Sequence, residues 1–289
     1  MKAKAIVITL ATLGLAWTST SWYTGKQVED WYRTETEKIN VRIKEDGFPF
    51  DISFAVSSYE RGVFSSTARV ALRLPQHCGL PKEVILIDTL NHGPFPWSQI
   101  KQGNLRPALL ASHAVLQDDA STKPWFEAAK GETPVDIVRT VSFSRDVLGQ
   151  MVLAPLTIET ESTSIKTSSA HFDIFISNDG EAYNGTGSLG FLQMGETYAH
   201  ARGDFKLEGI SIKYDVAQHG NFSQFLSQSD LMIKTTKVSI NGMPLLSISD
   251  VAEAFALSKK DQKFVIHHTA TVGAWDILGV SMPNINSVF

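Results

Sequence analysis

Cysteine is nearly absent: Cys78 is alone among 289 residues, which rules out an intrachain disulfide and any structural zinc site built on two or more thiolates. Charge is sparse as well. Charged residues make up 19%, the formal net charge is -4, and no Lys/Arg-rich run offers a footprint for a nucleic-acid backbone. Glycine and proline, at 20 and 11, stay near ordinary usage, which excludes collagen-like and low-complexity classes. Beyond the first fifty residues helical periodicity is scarce, and there is neither a βαβ alternation nor a repeat of fixed period. What is present is a 43% hydrophobic content, enough for a globular body with a sizeable core.

The N-terminus reads as cation, oil, then aromatic. Lys2 and Lys4 precede an apolar, charge-free run from Ala5 to Trp17, which Thr18–Ser21 extend to Trp22 and Tyr23. As a helix, residues 5–22 measure roughly 27 Å, close to the thickness of a hydrocarbon core. Lys prefers the cytoplasmic side and Trp and Tyr the headgroup level, so this pattern predicts a membrane anchor over 1–23 with the N-terminus cytoplasmic and the body exported. The alternative is a cleaved signal peptide, with Ser19 and Ser21 as small residues before a cut. Against cleavage stand the missing Ala-x-Ala site and a helical pattern that continues over 24–46. Val28, Trp31, Tyr32, Ile39 and Ile43 fall near helical spacing, and Glu29 and Arg33 form a favourable four-residue pair. This stretch is expected to be a stalk that packs on the domain.

From Phe50 the period changes to that of strands. Phe64, Ala68, Val70, Leu72 and Leu74 alternate with Ser65, Thr67, Arg69 and Arg73, and strand composition recurs over 84–90, 135–143, 165–176, 198–214, 231–240 and 264–272. Asn178-Asp179-Gly180 and Asn241-Gly242 predict hairpin turns, Ser258-Lys259-Lys260-Asp261 a polar link, and a parity change around Gly209 a bulge. One short helix is expected where Pro124 follows Ser121 and Thr122 and Gly131 can stop the chain. The fold class is therefore mainly β: an N-terminal transmembrane helix, then a large antiparallel, curved or sandwich-like sheet domain over 47–289 with one or two short helices. The apolar strand faces require cover from a second sheet, from curling, or from a ligand.

No residue meets the requirements of a catalytic, metal or cofactor site, so a non-enzymatic protein without cofactor is expected. Gly185, Gly187 and Gly190 have dinucleotide spacing but no following helix, and read as a glycine-rich turn. His267 and His268 are neighbours that a strand points to opposite faces. His77 and Cys78 are adjacent in sequence, a poor geometry for a nucleophile pair, and no serine lies in a G-x-S-x-G elbow.

Several strings resemble the YdgA family of bacterial inner-membrane proteins. They are Trp22-Tyr23-Thr24-Gly25-Lys26, Arg61-Gly62-Val63-Phe64-Ser65-Ser66, His92-Gly93-Pro94-Phe95-Pro96, and Lys123-Pro124-Trp125-Phe126-Glu127-Ala128-Ala129-Lys130-Gly131-Glu132-Thr133-Pro134. The likeness is strongest from Trp22 to Pro134. It implies a periplasm-facing protein without established activity. Members of that family continue well beyond the length reached at Phe289, which implies a short relative or a truncated form. A more distant similarity to AsmA-like proteins implies a curved sheet that handles lipid. In the His92 string the prolines stop a strand, Gly93 permits a bend, Phe95 can plug the core and His92 can bond the loop backbone. Two functions from different classes follow. One is an apolar sheet face that binds lipid. The other is a scaffold that docks an envelope protein or its own copy through an edge strand. Whether Val70 and Leu72 face a groove or a packed interior separates them.

Overall fold

The computed structural model describes residues 2–45, 51–74, 81–198, 201–219, 224–260, 263–282 and 284–288. The chain divides into two compact units, residues 1–124 with 136–147 and residues 125–135 with 148–289. The fold is mainly β, with large antiparallel sheet and few helices.

The first unit begins with one continuous helix, α1 (Lys2–Glu45). Among the described residues no helix is long and apolar enough to cross a membrane. Strands β1 (Ser53–Arg61), β2 (Ser65–Arg73) and β3 (Glu83–His92) follow, then α2 (Trp97–Lys101), β4 (Leu110–Leu116), α3 (Lys123–Ala128) at the division between units, and β5 (Val135–Val141). Strands β1 to β5 pair in sequence order, each antiparallel to the next. Such a meander needs only local turns, and Gly62, whose N–H donates to Ser65 O at 2.9 Å, makes the first of them.

One face of this sheet is covered by α1 rather than by a second sheet or a ligand. Val28 and Tyr32 of the helix join Ala68, Val70, Leu90, Leu110 and Val141 in one core, with Trp31, Phe54 and Tyr59 packed against it. Val70 therefore faces a packed interior. The small Ala68 and Ala114 lie in the register row that also holds Asp88, and they let the helix come close. The helical stripe is shorter than its spacing predicts, since Ile39 is exposed, while Ser21, Thr24 and Gly25 extend it in the other direction. Glu29 and Arg33 form the expected pair at 3.5 Å. Phe64 and Phe95, expected inside, are exposed, and Pro96 takes the buried place in that loop.

The second unit contains β6 (Val147–Leu153), β7 (Thr157–Glu159), β8 (Thr163–Thr167), β9 (Ala170–Ile176), β10 (Ala182–Tyr198), β11 (Ala201–His219), β12 (Gln224–Ile240), β13 (Met243–Lys260), β14 (Lys263–Val272), β15 (Trp275–Ile277), β16 (Val280–Met282) and β17 (Ile285–Val288). Strands β9 to β14 pair consecutively and antiparallel. Strand β8 also lies on β10, β15 on β13 and β17 on β14.

Both expected hairpin turns form, with Gly180 at φ +70° and Asn241 and Gly242 at +49° and +77°. Two expected strands are each divided. Ser168 and Ser169 separate β8 from β9, with the Ser168 hydroxyl accepting the Phe191 N–H at 3.1 Å, and a hairpin separates β10 from β11. Ser258 to Lys260 belong to β13 rather than to a link, and Asp261 lies outside the described residues, as do His77 and Cys78. Helix α3 ends as expected, with Gly131 at φ +85° and its N–H donating to Phe126 O at 2.8 Å.

Candidate functional site

Two places in the molecule carry more than packing requires. The first is a polar junction beneath α1 in the first unit. The ring of His92 is buried at the end of β3 and is bonded at both nitrogens: Nδ1 lies 2.9 Å from Ser21 O of the helix and Nε2 3.0 Å from Ser66 Oγ of β2. A carbonyl can only accept, so Nδ1 carries the proton and Nε2 accepts from the serine hydroxyl. Gly25 lies over the ring so closely that an added Cβ would stand 2.6 Å from Cε1. Gly93, at φ +115°, abuts the Ser21 side chain, so both the backbone conformation and the approach of the helix require glycine. Three of the strings singled out in the sequence thus meet at one point, through Gly25, Ser66 and His92. The fourth, over 123–134, forms α3 and its C-terminal turn instead. His92 bonds the helix backbone and not its own loop.

Two helical turns beyond Gly25, the fully buried Asp88 accepts from Tyr32 Oη at 2.8 Å and forms an ion pair with Arg139 of β5. Arg139 Nε also donates to Ser112 Oγ at 3.2 Å. Burial works against the charge of Arg139, but Asp88 and Tyr32 together, by charge and hydrogen bonding, outweigh it and raise its pKa; burial pushes the Tyr32 phenol up. At the far end of the contact Asn40 bonds Phe54 twice, donating to its O and accepting from its N–H, both at 2.7 Å. These polar pins fix the register of helix against sheet, which apolar packing alone leaves loose.

Burial lowers the pKa of His92, more than its backbone hydrogen bonds raise it. The unfolded chain, with an ordinary pKa of about 6.5, then takes up the proton before the folded one. Stability is expected to be level above that pH and to fall as pH drops below it. Denaturation midpoints of the native chain and of His92→Gln, compared from neutral to mildly acidic pH, test this. The native chain should show a step that the variant lacks.

The second place is in the other unit, where the long strands β10 to β13 carry an apolar stripe. Register places Leu189, Ile210, Ile233 and Val251 in one row, and Met194, Phe205, Val238, Leu246 and Ile277 in another. Apolar residues fall on one parity before an interruption and on the opposite parity after it. The interruption crosses all four strands at the same level, where pairing skips Gly190, Gly209, Lys234 and Asp250. Gly209 and Asp250 have φ of +64° and +51° there. Pairing keeps step across Gly209, from Leu189 with Ile210 to Phe191 with Glu208, so the feature is a kink without the inserted residue of a bulge. Along β12 the half-buried positions change parity at the same level, from Leu231 and Ile233 to Thr236 and Val238. Apart from the end of α3, the described residues of this unit form strands and connections, and Ile212 and Met194 of the stripe are exposed, as is Ile266 of β14.

The glycines with dinucleotide spacing lie within β10 and not in a turn. A Cβ on Gly187 would stand 2.8 Å from the side chains of Phe172 and Ile212, and one on Gly185 2.5 Å from Tyr214 Oη. They make room for large neighbours on the adjoining strands. His268 contacts Glu253 at 2.8 Å across the β13–β14 pair, whereas its neighbour His267 has no such contact with Glu253. Among the described residues no group of three His, Cys, Asp or Glu side chains could hold a metal ion.

Together these features define a class: a β-rich bacterial protein whose leading helix is pinned to a five-stranded meander and followed by a long-stranded antiparallel unit. The chain belongs to the family described as bacterial protein of unknown function (DUF945), whose model matches residues 1–284. It is 30% identical over 191 residues to Protein YdgA of Escherichia coli (strain K12), a match that covers 64% of this chain and 38% of that protein. It is 26% identical over 160 residues to the uncharacterized protein YihF of the same organism, covering 53% of this chain and 33% of YihF. An uncharacterized protein of Haemophilus influenzae is 26% identical over 158 residues, covering 53% of this chain and 42% of that one. The matched stretches thus span well under half of each relative. No solved structure matches.

Proposed function

We propose that the chain is a non-enzymatic envelope protein, held at the inner membrane through α1 with its body in the periplasm, and that the second unit binds lipid or another apolar ligand. The observation that carries the binding is the apolar stripe on β10 to β13, whose members are half-buried except for Ile212 and Met194, 40% and 42% exposed. A surface of this kind costs free energy in water and gains it on meeting an acyl chain, about 25 cal/mol for each Å² covered. Anchoring is supported by the order of Lys2, Lys4, the apolar run and Trp22. Retention of the leader is supported by Ser21, because a cut after it would remove the carbonyl that His92 bonds. Mass spectrometry of organic extracts from gently purified protein tests the reading. Lipid should copurify with the native chain and be depleted in the Ile212→Glu, Ile266→Glu variant. Clean extracts from folded native protein would sink it.

A second reading has its own support. Among the described residues, strand β14 pairs with β17 only over Thr269–Val272, which leaves an outer edge over Lys263–His267 where Phe264, Val265 and Ile266 are exposed. Such an edge can take a further strand from another envelope protein or from a second copy. In that case extracts are clean and Val265→Pro, which blocks pairing, dissolves a defined complex.

A further inference from the structure

We propose that one end of the first unit seats in the headgroup layer of an anionic phospholipid bilayer, so that the domain rim and the leader of α1 form a single membrane-contacting surface. This rests on the anchoring reading above. From Trp17 onward the helix already belongs to the domain: the Trp17 ring lies 5.5 Å from that of Phe64, and Ser21 is fully buried. Ahead of Trp17, residues 5–16 of the helix measure only about 18 Å, against a hydrocarbon core of about 30 Å. So short a leader can place its whole length in the bilayer only when the domain stands at the surface. The rim must come down to it.

The rim is built for that position. The turn at 62–64, the connection 93–109 and the turn at 142–146 all lie at one end of the meander, the end that Ser21 reaches through His92. Val63, Phe64, Phe95, Trp97, Leu105 and Phe143 are exposed there. Among the described residues of the connections at the opposite end, 74, 81–82 and 117–122, no large apolar side chain is exposed. Basic side chains lie there too. Arg61, Lys101, Arg106 and Arg145 border these loops; against them stand Glu60, Glu29, which pairs with Arg61 at 3.8 Å, and Asp146, which is bonded to Ser142 and Ser144. Two of the cations already lie over indole rings, Arg61 on Trp22 and Lys101 on Trp97, each 5.8 Å from the centroid. Aromatic bodies with basic tips suit the boundary between acyl chains and phosphates, and basic groups add attraction to anionic lipid.

The test uses the full chain with Cys78→Ser and a single new thiol carrying an environment-sensitive fluorophore, either Leu105→Cys on the rim or Asp118→Cys at the other end. Circular dichroism checks that each folds. The proteins are reconstituted with vesicles of phosphatidylethanolamine and phosphatidylglycerol and recovered by flotation. Expected are a blue shift and quenching by spin-labelled lipid at position 105, with neither at 118. A protein that floats with both labels in water overturns the seat and leaves the anchor standing. Equal shifts at both positions overturn the one-ended arrangement. A chain that does not float overturns anchoring itself, and the seat with it.

Discussion

Arg139→Leu is expected to lower the stability of the first unit by about 3–5 kcal/mol, because it leaves a carboxylate in the interior with one neutral donor. Asp88 is 0% exposed, and its Oδ2 takes both the Tyr32 hydroxyl and the guanidinium. Its Oδ1 has no hydrogen-bond partner among the described residues. Removing the other member should cost less. The Arg139 side chain is 33% exposed, so in Asp88→Asn its head can turn toward water on its long stem, and the loss should be about 1–3 kcal/mol. The double replacement of both by Leu is expected to recover most of the deficit, since two apolar groups need no partner. Denaturant midpoints of the four proteins measure all of this. Equal losses in the two single variants would mean that the partial exposure of Arg139 does not relieve its charge.

How much of this was readable in the sequence depends on the scale of the signal. Period-two alternation around Val70 and the hairpin chemistry of Asn178-Asp179-Gly180 and Asn241-Gly242 are local, and each appears where its residues say. That the helix packs on the domain was readable from Val28 and Tyr32, but the polar contacts beneath it were not, because they join residues far apart: Tyr32 meets Asp88 across 56 positions and Arg139 meets Asp88 across 51. Ser21 and Gly25, four apart on one helical face, were the available sign of a close approach, masked by the louder apolar spacing of Ile39 and Ile43. The break between β10 and β11 was missed for the opposite reason, since neither Ala199 nor His200 is a turn former. The kink across β10 to β13 announced itself once, as the parity change at Gly209. Gly190 was visible only as part of a glycine-rich stretch, and Lys234 and Asp250 carry no composition signal, so these members are recognised only when four strands lie side by side. The apolar stripe was legible as strands rich in Ile, Leu and Phe. Its exposure was not, because alternation gives the side a residue faces but not what stands opposite.

The close approach of α1 makes a prediction whose sign differs between two glycines of the same helix. Replacing glycine by alanine inside a helix ordinarily stabilises it by roughly 0.5–1 kcal/mol. At Gly14 an added methyl would have nothing within 4 Å, so Gly14→Ala is expected to follow that rule. At Gly25 the same methyl meets Cε1, Nε2 and Nδ1 of His92 at 2.6, 2.9 and 3.0 Å. The ring cannot step aside without giving up Ser66 on one nitrogen and Ser21 on the other. Gly25→Ala should therefore destabilise the first unit by about 1–3 kcal/mol as an overpacked site, and Gly25→Val by more. If the ring is the obstacle, adding His92→Ala to Gly25→Ala should restore part of the loss, giving a coupling of about 0.5–3 kcal/mol in a double-mutant cycle read from denaturation midpoints. Strict additivity would show that His92 and Gly25 do not press on each other.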